Sequence, residues 1–190
     1  MDRELKKRMN EIIHRHNLWL ENKPGGERAN FSGADLKHVQ LAYVNLSGAN
    51  LHGCNLSGAL LSNADLSNCN LQGAILKGAK MDHVNLRCAN IIDATFDGSY
   101  MRGADIRNVT GQTVSMKRVN LKYALASLSN LENSDLDDSD ISKADFTGAN
   151  LTRVDFKGVR MKKTKLLGAI MIGAVNYEDQ LDSEQRMQLM

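Results

Sequence analysis

A five-residue repeat runs without insertion or deletion from Ala29 to Gly173 and governs how this chain can fold. The central residue of each repeat, from Phe31 to Met171, is Leu, Ile, Met or Phe at all but two of 29 positions. The two exceptions are Gly111 and Ala126. The residue two places before each centre is always Ala, Val, Cys, Ser or Thr. The unit is therefore small, polar, large apolar, polar and often Gly.

A period of five fits neither regular secondary structure. In an α-helix five residues advance by about 500°, so the apolar centres would spiral around the axis. In a plain strand an odd spacing sends alternate centres to opposite faces. A short extended segment followed by a corner does fit, with each pentapeptide forming one side of a polygonal coil. The corners are often Gly, Asn or Asp, which tolerate turn backbone, and stacked coils would bury a continuous core.

Three segments, Ala-Asn-Phe-Ser-Gly at 29–33, Ala-Asp-Leu-Lys-His at 34–38 and Ala-Asn-Leu-His-Gly at 49–53, closely resemble the pentapeptide-repeat family. That resemblance implies an all-β solenoid, a right-handed quadrilateral β-helix with four pentapeptides per coil. The repeats would then form about seven coils and a rod about 35 Å long, at about 4.8 Å per coil. The segment 16–29 also looks like a leader that precedes the repeats in bacterial and phage-borne members.

The chain divides into 1–28, 29–175 and 176–190. We expect an amphipathic cap helix in the first region, ended by a Pro-Gly-Gly linker, because its apolar residues have helical spacing. These residues are Leu5, Met9, Ile12, Ile13, Trp19 and Leu20. The third region predicts a short capping helix or a dimerisation segment. Apolar residues at outward positions just before it favour a homodimer through the C-terminal end. They are Leu167, Ile170, Ile172 and Val175.

Composition sets only outer bounds. With 190 residues, 42% hydrophobic and 24% charged, the chain is typical of one soluble domain. Its charged start and its lack of an 18-residue apolar run predict a cytoplasmic protein without membrane contact. Cys54 and Cys69 occupy inward positions and Cys88 a corner, so we expect reduced, structural cysteines.

Charge is arranged in neighbouring bands. Residues 129–148 carry six acids and one base, and residues 149–168 carry six bases and one acid. A 20-residue coil would stack Asp137 on Lys157, Asp140 on Arg160 and Asp145 on Lys165. We favour vertical ion pairs, each weak when exposed, over a nucleic-acid patch or an acidic partner site. A column from Asn30 to Asn150, interrupted by Thr110, likewise predicts a ladder of side-chain amides.

Catalytic groupings are not apparent in the sequence. The five histidines fall on separate columns or faces and have no metal-ligand partner at a suitable spacing. A filled, narrow core leaves no cleft for a substrate. The sequence therefore predicts no enzyme, no catalytic residue, no metal and no cofactor.

Both exceptional centres, Gly111 and Ala126, fall in one coil. They predict a loose or distorted coil over 109–128, with Leu125 and Leu128 exposed or bent inward. One interpretation is tolerated decay of a redundant repeat. The other is a docking patch for a partner around Leu125, Leu128 and Tyr123.

Three functions are compatible with such a rod. We favour a structural scaffold that binds an unknown protein partner. The resemblance also implies an alternative, a DNA mimic that binds DNA gyrase or topoisomerase IV and protects against fluoroquinolones. The resemblance implies a strongly acidic face for such a mimic, whereas this chain has a net charge of +2, neighbouring bands of opposite sign and no loop insertion. Direct nucleic-acid binding through 153–165 is disfavoured, because the bands cancel and no aromatic residues interleave with the bases.

Overall fold

The computed structural model describes the backbone of residues 3–189 and the side chains from Lys6 onward. Helix α1 spans Arg3–Leu20, a 3-10 helix spans Glu178–Gln180, and helix α2 spans Ser183–Gln188. Between them the chain winds as a coil of bridged pentapeptides. The side chain of Leu5 and the whole of Met190 lie outside the described residues.

Parallel β-bridges join each residue before a centre to the residue 20 positions later, from Asn30–Asn50 to Asp155–Val175. A coil therefore has 20 residues and four sides, and the fold is the right-handed quadrilateral β-helix of about seven coils that the family resemblance implied. We number its faces 1 to 4 by the first central residue on each, Phe31, Leu36, Leu41 and Leu46. Residues 20 apart occupy equivalent places on one face.

The central side chains fill the axis of the rod. From Leu41 to Phe156 every centre is buried, including the largest, Phe96, Phe146 and Phe156. The small residues also face inward and lie against this column. The two apolar series of the sequence thus form one continuous core.

In a typical repeat every backbone N–H group is bonded, which explains the polar residue before the centre. In the repeat that begins at Ala49, two N–H groups bond to the next coil, one to the previous coil, one to an amide side chain, and the following N–H closes the turn. The bonds are Asn50 N to Ala29 O (3.0 Å), Leu51 N to Asn70 O (2.7 Å), His52 N to Asn50 Oδ1 (3.2 Å), Gly53 N to Gln72 O (2.8 Å) and Cys54 N to Leu51 O (3.2 Å). Asn and Asp recur before the centre because they cap a donor there.

Corners have left-handed backbone throughout the coil, from Gly33 (φ 67°) to Gly173 (φ 67°). Only the second of the two turn residues has positive φ, as in a type II turn. Larger residues adopt the same backbone, including Tyr123 (φ 62°) and Leu128 (φ 59°). The corner places these side chains at the outermost points of the rod.

The coil over 109–128 keeps its register, so the predicted distortion is confined to its turns. Thr110 bridges both Asn90 and Asn130, as in a regular coil. A Cβ atom at Gly111 would lie 2.9 Å from Ile91 Cγ1 and 3.1 Å from Leu131 Cδ2, so its neighbours have closed over the missing side chain. The coil is filled without a large residue at this centre.

Two serines bridge opened turns in this region. The turns 106–109, 111–114 and 116–119 lack the direct bond that closes the other turns of the coil, and serines bridge the last two. Ser134 Oγ donates to Gly111 O (3.0 Å) and accepts from Val114 N (3.1 Å). Ser139 does the same for the turn 116–119, where its Oγ accepts from Val119 N at 3.0 Å. The hydroxyl groups replace the missing turn bond with a two-bond bridge.

Helix α1 covers the first coil and packs closely against it. Met9 is buried, and Ile12 and Ile13 pack on the core. His16 is fully buried, accepts from Ala29 N through Nδ1 (3.1 Å) and stacks on Trp19 with ring centroids 5.3 Å apart. A Cβ atom at Gly26 would lie 2.6 Å from Trp19 Cα, so only glycine fits the linker there.

Candidate functional site

Sorted by face, the charges of the coil are strongly uneven. Face 3 carries seven cations and two carboxylates, a net charge of +5, whereas faces 1 and 2 each carry −1 and face 4 is neutral. We call the outward positions of face 3 from Lys80 to Lys163 the basic face. Its charged residues are Lys80, Asp82, Arg102, Lys122, Asp140, Lys143, Arg160, Lys162 and Lys163. The small net charge of the chain conceals this asymmetry.

Asp140 is a buried carboxylate on the basic face that holds two of its cations. Its side chain is only 4% exposed and lies between Arg160 Nε (2.8 Å) and Lys122 Nζ (3.0 Å). Burial alone would raise the pKa of this carboxyl, but hydrogen bonds from Arg160, Ser142 and Lys122 outweigh it and lower the pKa to about 2. The carboxylate therefore stays charged and fixes both cations.

The predicted vertical pairs form in part. Asp140 contacts Arg160 as expected, and Lys165 Nζ lies 3.5 Å from Asp145. Asp137 instead lies 3.8 Å from Lys117 in the coil before it. Within the described residues Lys157 has no ion-pair partner, so the pair that we expected with Asp137 is absent. The amide ladder also forms in part, with Asn50 donating to Asn30 and Asn150 to Asn130.

Tyr123 lies among these cations, which corrects our premise that no aromatic residue interleaves with the bases. Lys143 Nζ donates to its hydroxyl (3.1 Å) and lies 5.0 Å from the ring centroid, and Arg102 Cζ lies 5.2 Å from it. The hydrogen bond and charge of Lys143 lower the pKa of Tyr123. The structure thus groups Tyr123 with face 3, and not with Leu125 and Leu128.

Leu125 and Leu128 lie on face 4 and are exposed, without bending into the core. Leu128 extends over the next coil, where a Cβ atom at Gly148 would lie 2.9 Å from its Cδ2. The two leucines therefore form a small apolar area beside the basic face.

The end of the last coil is covered on three faces only. Three glutamines of the C-terminal segment bond to the backbone there, a role that the sequence pattern did not reveal. The bonds are Gln180 Nε2 to Phe156 O (3.0 Å), Gln185 Nε2 to Met161 O (2.7 Å) and Leu166 N to Gln188 Oε1 (2.7 Å). These contacts lie on faces 2, 3 and 4. Face 1 has no such cover within residues 3–189.

The uncovered edge on face 1 is apolar and has free donors. Met171 N and Gly173 N, which would bond to a further coil, have no acceptor in the described part of the chain. Ile172 beside them is 72% exposed, and three further apolar side chains of this segment are exposed. They are Ile170 on face 1, Leu167 at the end of face 4 and Val175 at the start of face 2. We call Leu167–Val175 the apolar edge.

Catalytic and metal-binding geometry is not evident. Within residues 3–189 no group of three or more His, Cys, Asp or Glu side chains could hold a metal ion. Burial raises the pKa of the Cys54 and Cys69 thiols to about 12, and Cys88 is exposed. Neither helix of this range has the length and apolar character that crossing a bilayer requires.

Comparison with solved structures finds similar chains, among them two named as pentapeptide repeat proteins. HetL, a pentapeptide repeat protein involved in heterocyst differentiation regulation from the cyanobacterium Nostoc sp. strain PCC 7120, is 25% identical, with 78% of each chain covered and a TM-score of 0.42. A trypsin-treated variant of QnrB1, a plasmid-mediated fluoroquinolone resistance protein, is 20% identical over 84% of this chain and 86% of its own, with a TM-score of 0.42. Rfr23 from the cyanobacterium Cyanothece 51142 is 18% identical over 88% and 98%, with a TM-score of 0.26.

Sequence comparison identifies the family directly. No functionally curated protein matches the chain. The family model for pentapeptide repeats matches in eight copies, over 29–68, 49–87, 64–103, 115–153 and 139–175. The matched ranges leave out 104–114, the segment that contains Gly111. Together they cover most of the chain and the whole length of the bridged coil outside that segment. The chain therefore belongs to the pentapeptide-repeat family.

Proposed function

We propose that this chain is a non-enzymatic scaffold that binds protein partners through its outer surface. Its axis is filled by side chains such as Leu51 and Phe96, so no interior space is left for a substrate. The backbone donors of a typical repeat are bonded within the rod. What such a rod offers to other molecules is the side chains on its faces and the edge of its last coil.

The observation that carries this proposal is the apolar edge. An unpaired strand edge is a template for pairing with another chain, and apolar side chains around it add a hydrophobic contact. Met171 and Gly173 supply free N–H groups, and Ile170 and Ile172 supply the apolar contact. We infer that a second copy of the chain stacks on this edge, so that the same surface is used on both copies.

Sedimentation velocity tests the contact. The wild-type protein is expected to sediment as a dimer, and the double variant Ile170→Ser, Ile172→Ser as a monomer. The matched control is Leu125→Ser, Leu128→Ser, which removes two exposed apolar side chains from face 4 and is expected to leave the dimer intact. A wild-type protein that stays monomeric at about 100 μM would contradict the inferred self-association.

The charge distribution does not support the alternative role as a DNA mimic. A mimic of DNA needs a continuous acidic surface, and no face of the bridged coil has a net charge below −1. We therefore expect no effect when the protein is titrated in large excess into a gyrase supercoiling reaction, with or without a fluoroquinolone. Protection at near-stoichiometric amounts would establish that alternative instead.

We place the scaffold in the cytoplasm. Cys54 and Cys69 are buried with raised pKa values, so their thiols are unreactive. Cys88 is exposed and unpaired. An exposed free thiol is compatible with a reducing compartment, and this part of the proposal is tested by locating the epitope-tagged full chain in cell fractions.

A further inference from the structure

The basic face combines positive charge with aromatic rings that extend into solvent. Three of the four tyrosines of the chain, Tyr43, Tyr100 and Tyr123, project from face 3, and all three are exposed. Tyr100 lies one coil before Tyr123 and is 52% exposed. The rest of the bridged coil carries a net negative charge, so face 3 is the surface to which a polyanion would be drawn.

The cations at the C-terminal half of this face are available for a ligand. Lys122, Ser142, Lys162 and Lys163 line a shallow depression beside Tyr123. In the described part of the chain Lys162 and Lys163 have no carboxylate partner. Asp140 neutralises only one of the two cations that it holds. The depression therefore presents an excess of ammonium groups to solvent.

The backbone of face 3 cannot pair with an extended peptide. From 99–103 to 139–143 its N–H groups are all bonded within the rod, for example Leu121 N to Asp140 O (2.8 Å) and Ile141 N to Arg160 O (2.8 Å). Recognition must then use side-chain charge and ring surface only. A phosphodiester chain meets that requirement, because it carries its charge on the backbone and its flat apolar groups on the bases.

We propose that the basic face binds single-stranded nucleic acid without sequence preference, with phosphates on Lys143, Lys162 and Lys163 and a base stacked on Tyr100. A single strand fits better than a duplex, because only unpaired bases can stack on exposed rings. Tyr123 is held between Arg102 and Lys143 and so keeps these cations in place beside the strand. This site is separate from the apolar edge, so either proposal can fail without the other.

The first test measures binding of a fluorescein-labelled oligothymidylate of about 20 nucleotides to the full chain by anisotropy. The variant Lys143→Ala, Lys162→Ala, Lys163→Ala is expected to bind at least about tenfold more weakly. The slope of log K against log salt concentration should become less steep by about 2, because each phosphate that is no longer neutralised contributes about 0.7. The control variant Arg87→Ala, Arg118→Ala, Lys157→Ala removes the same charge from faces 4 and 2 and should bind like the wild type. Equal weakening in both variants would overturn the proposal, because net charge alone would then explain binding.

The second test separates nucleic acid from an acidic protein. Tyr100→Ala is expected to weaken oligothymidylate binding by about tenfold, because the stacked base has no ring to rest on, and to leave binding of a polyglutamate peptide unchanged. Tighter binding of polyglutamate than of oligothymidylate would assign the face to an acidic protein. No effect of Tyr100→Ala on oligothymidylate binding would mean that no base stacks on this ring. Either result would overturn the proposal. Circular dichroism checks that each variant keeps the coil.

Discussion

Asp140 and Arg160 are stacked one coil apart, and the buried carboxylate of the first lies 2.8 Å from Nε of the second. Lys122 approaches the same oxygen from the coil below. This three-residue arrangement differs from the other ion pairs of the rod because its acid is almost completely buried. It is therefore the ion pair from which we expect a measurable contribution to stability.

Asp140→Asn is expected to destabilise the protein by about 2 kcal/mol at pH 7, because charged hydrogen bonds are lost while the amide oxygen can still accept from Ser142 N. The pKa of Asp140 is lowered from 3.8 to about 2, so the difference from wild type should shrink as the pH falls through this range. Urea denaturation measures this difference in the free energy of unfolding without adding salt. Asp145→Asn removes a pair with Lys165 in which the acid is more exposed than Asp140, and it should cost less than about 1 kcal/mol. Equal losses in the two variants would argue against a special role for burial.

Ser134→Ala is expected to destabilise by about 1–3 kcal/mol, although Ala is the commonest small residue of the repeat. The change leaves Val114 N and Gly111 O without partners in a buried turn. Ser129→Ala is the matched control, because Ser129 Oγ is buried and has no hydrogen-bond partner. Thermal unfolding should show a lower midpoint for Ser134→Ala and an equal or higher one for Ser129→Ala. The reverse order would mean that the bridge does not stabilise the turn.

Gly111→Leu restores the regular centre and is nevertheless expected to destabilise the coil by about 1–3 kcal/mol. Ile91 and Leu131 already occupy the space that a side chain at Gly111 would need. Met116→Leu in the same coil conserves volume and should change stability by less than about 1.5 kcal/mol. Chemical denaturation compares the two. A more stable Gly111→Leu protein would indicate an unfilled centre.

His16 is expected to make the cap sensitive to acid. Burial lowers the pKa of His16, with the charge of Arg28 adding to the effect, so the folded chain takes up this proton less readily than the unfolded chain. Stability from the neutral ring is complete above about pH 6.5 and is lost as the pH falls below that value, by up to about 1.4 kcal/mol per unit until the folded pKa is reached. Hydrogen exchange of the Ala29 amide at pH 7.5 and 5.5 should report the loosening. His16→Asn should remove the pH dependence, whereas His14→Ala, at an exposed position, should retain it.

The architecture was predictable because the same pattern of apolar and turn residues occurs in 29 repeats. The five-residue period predicts a polygonal coil, and the family resemblance implied that the coil has four sides. The pair of Asp140 with Arg160 followed from the 20-residue coil. Asp137 follows the same 20-residue rule but lies near Lys117, one coil before it, and not near Lys157, one coil after it. Both lysines are 20 residues away, so spacing alone does not decide which of them it contacts.

The basic face was missed because charges were summed along the chain. A band of 20 residues passes through all four faces, so acids on face 2 appeared to cancel bases on face 3. Summing residues 20 apart on a face would have placed Tyr123 beside Lys143. The bridging serines and the capping glutamines are harder to foresee. Ser134 is one small residue among many in the sequence, and the contacts of Gln185 depend on the angle at which α2 packs.

The left-handed corners have a further consequence for face 3. Glycine adopts this backbone without steric conflict, whereas other residues are strained there, by about 1 kcal/mol or more each. Glycine is nonetheless rare at the corners of face 3, which carry Tyr43, Asn63, His83, Tyr123, Lys143 and Lys163 in addition to Gly103. The chain thus maintains strained backbone along the edge where its rings and ammonium groups project. Replacing those corners by glycine would relax the rod and, in the same step, remove Tyr123, Lys143 and Lys163 from the basic face, so a less strained backbone here would present less binding chemistry.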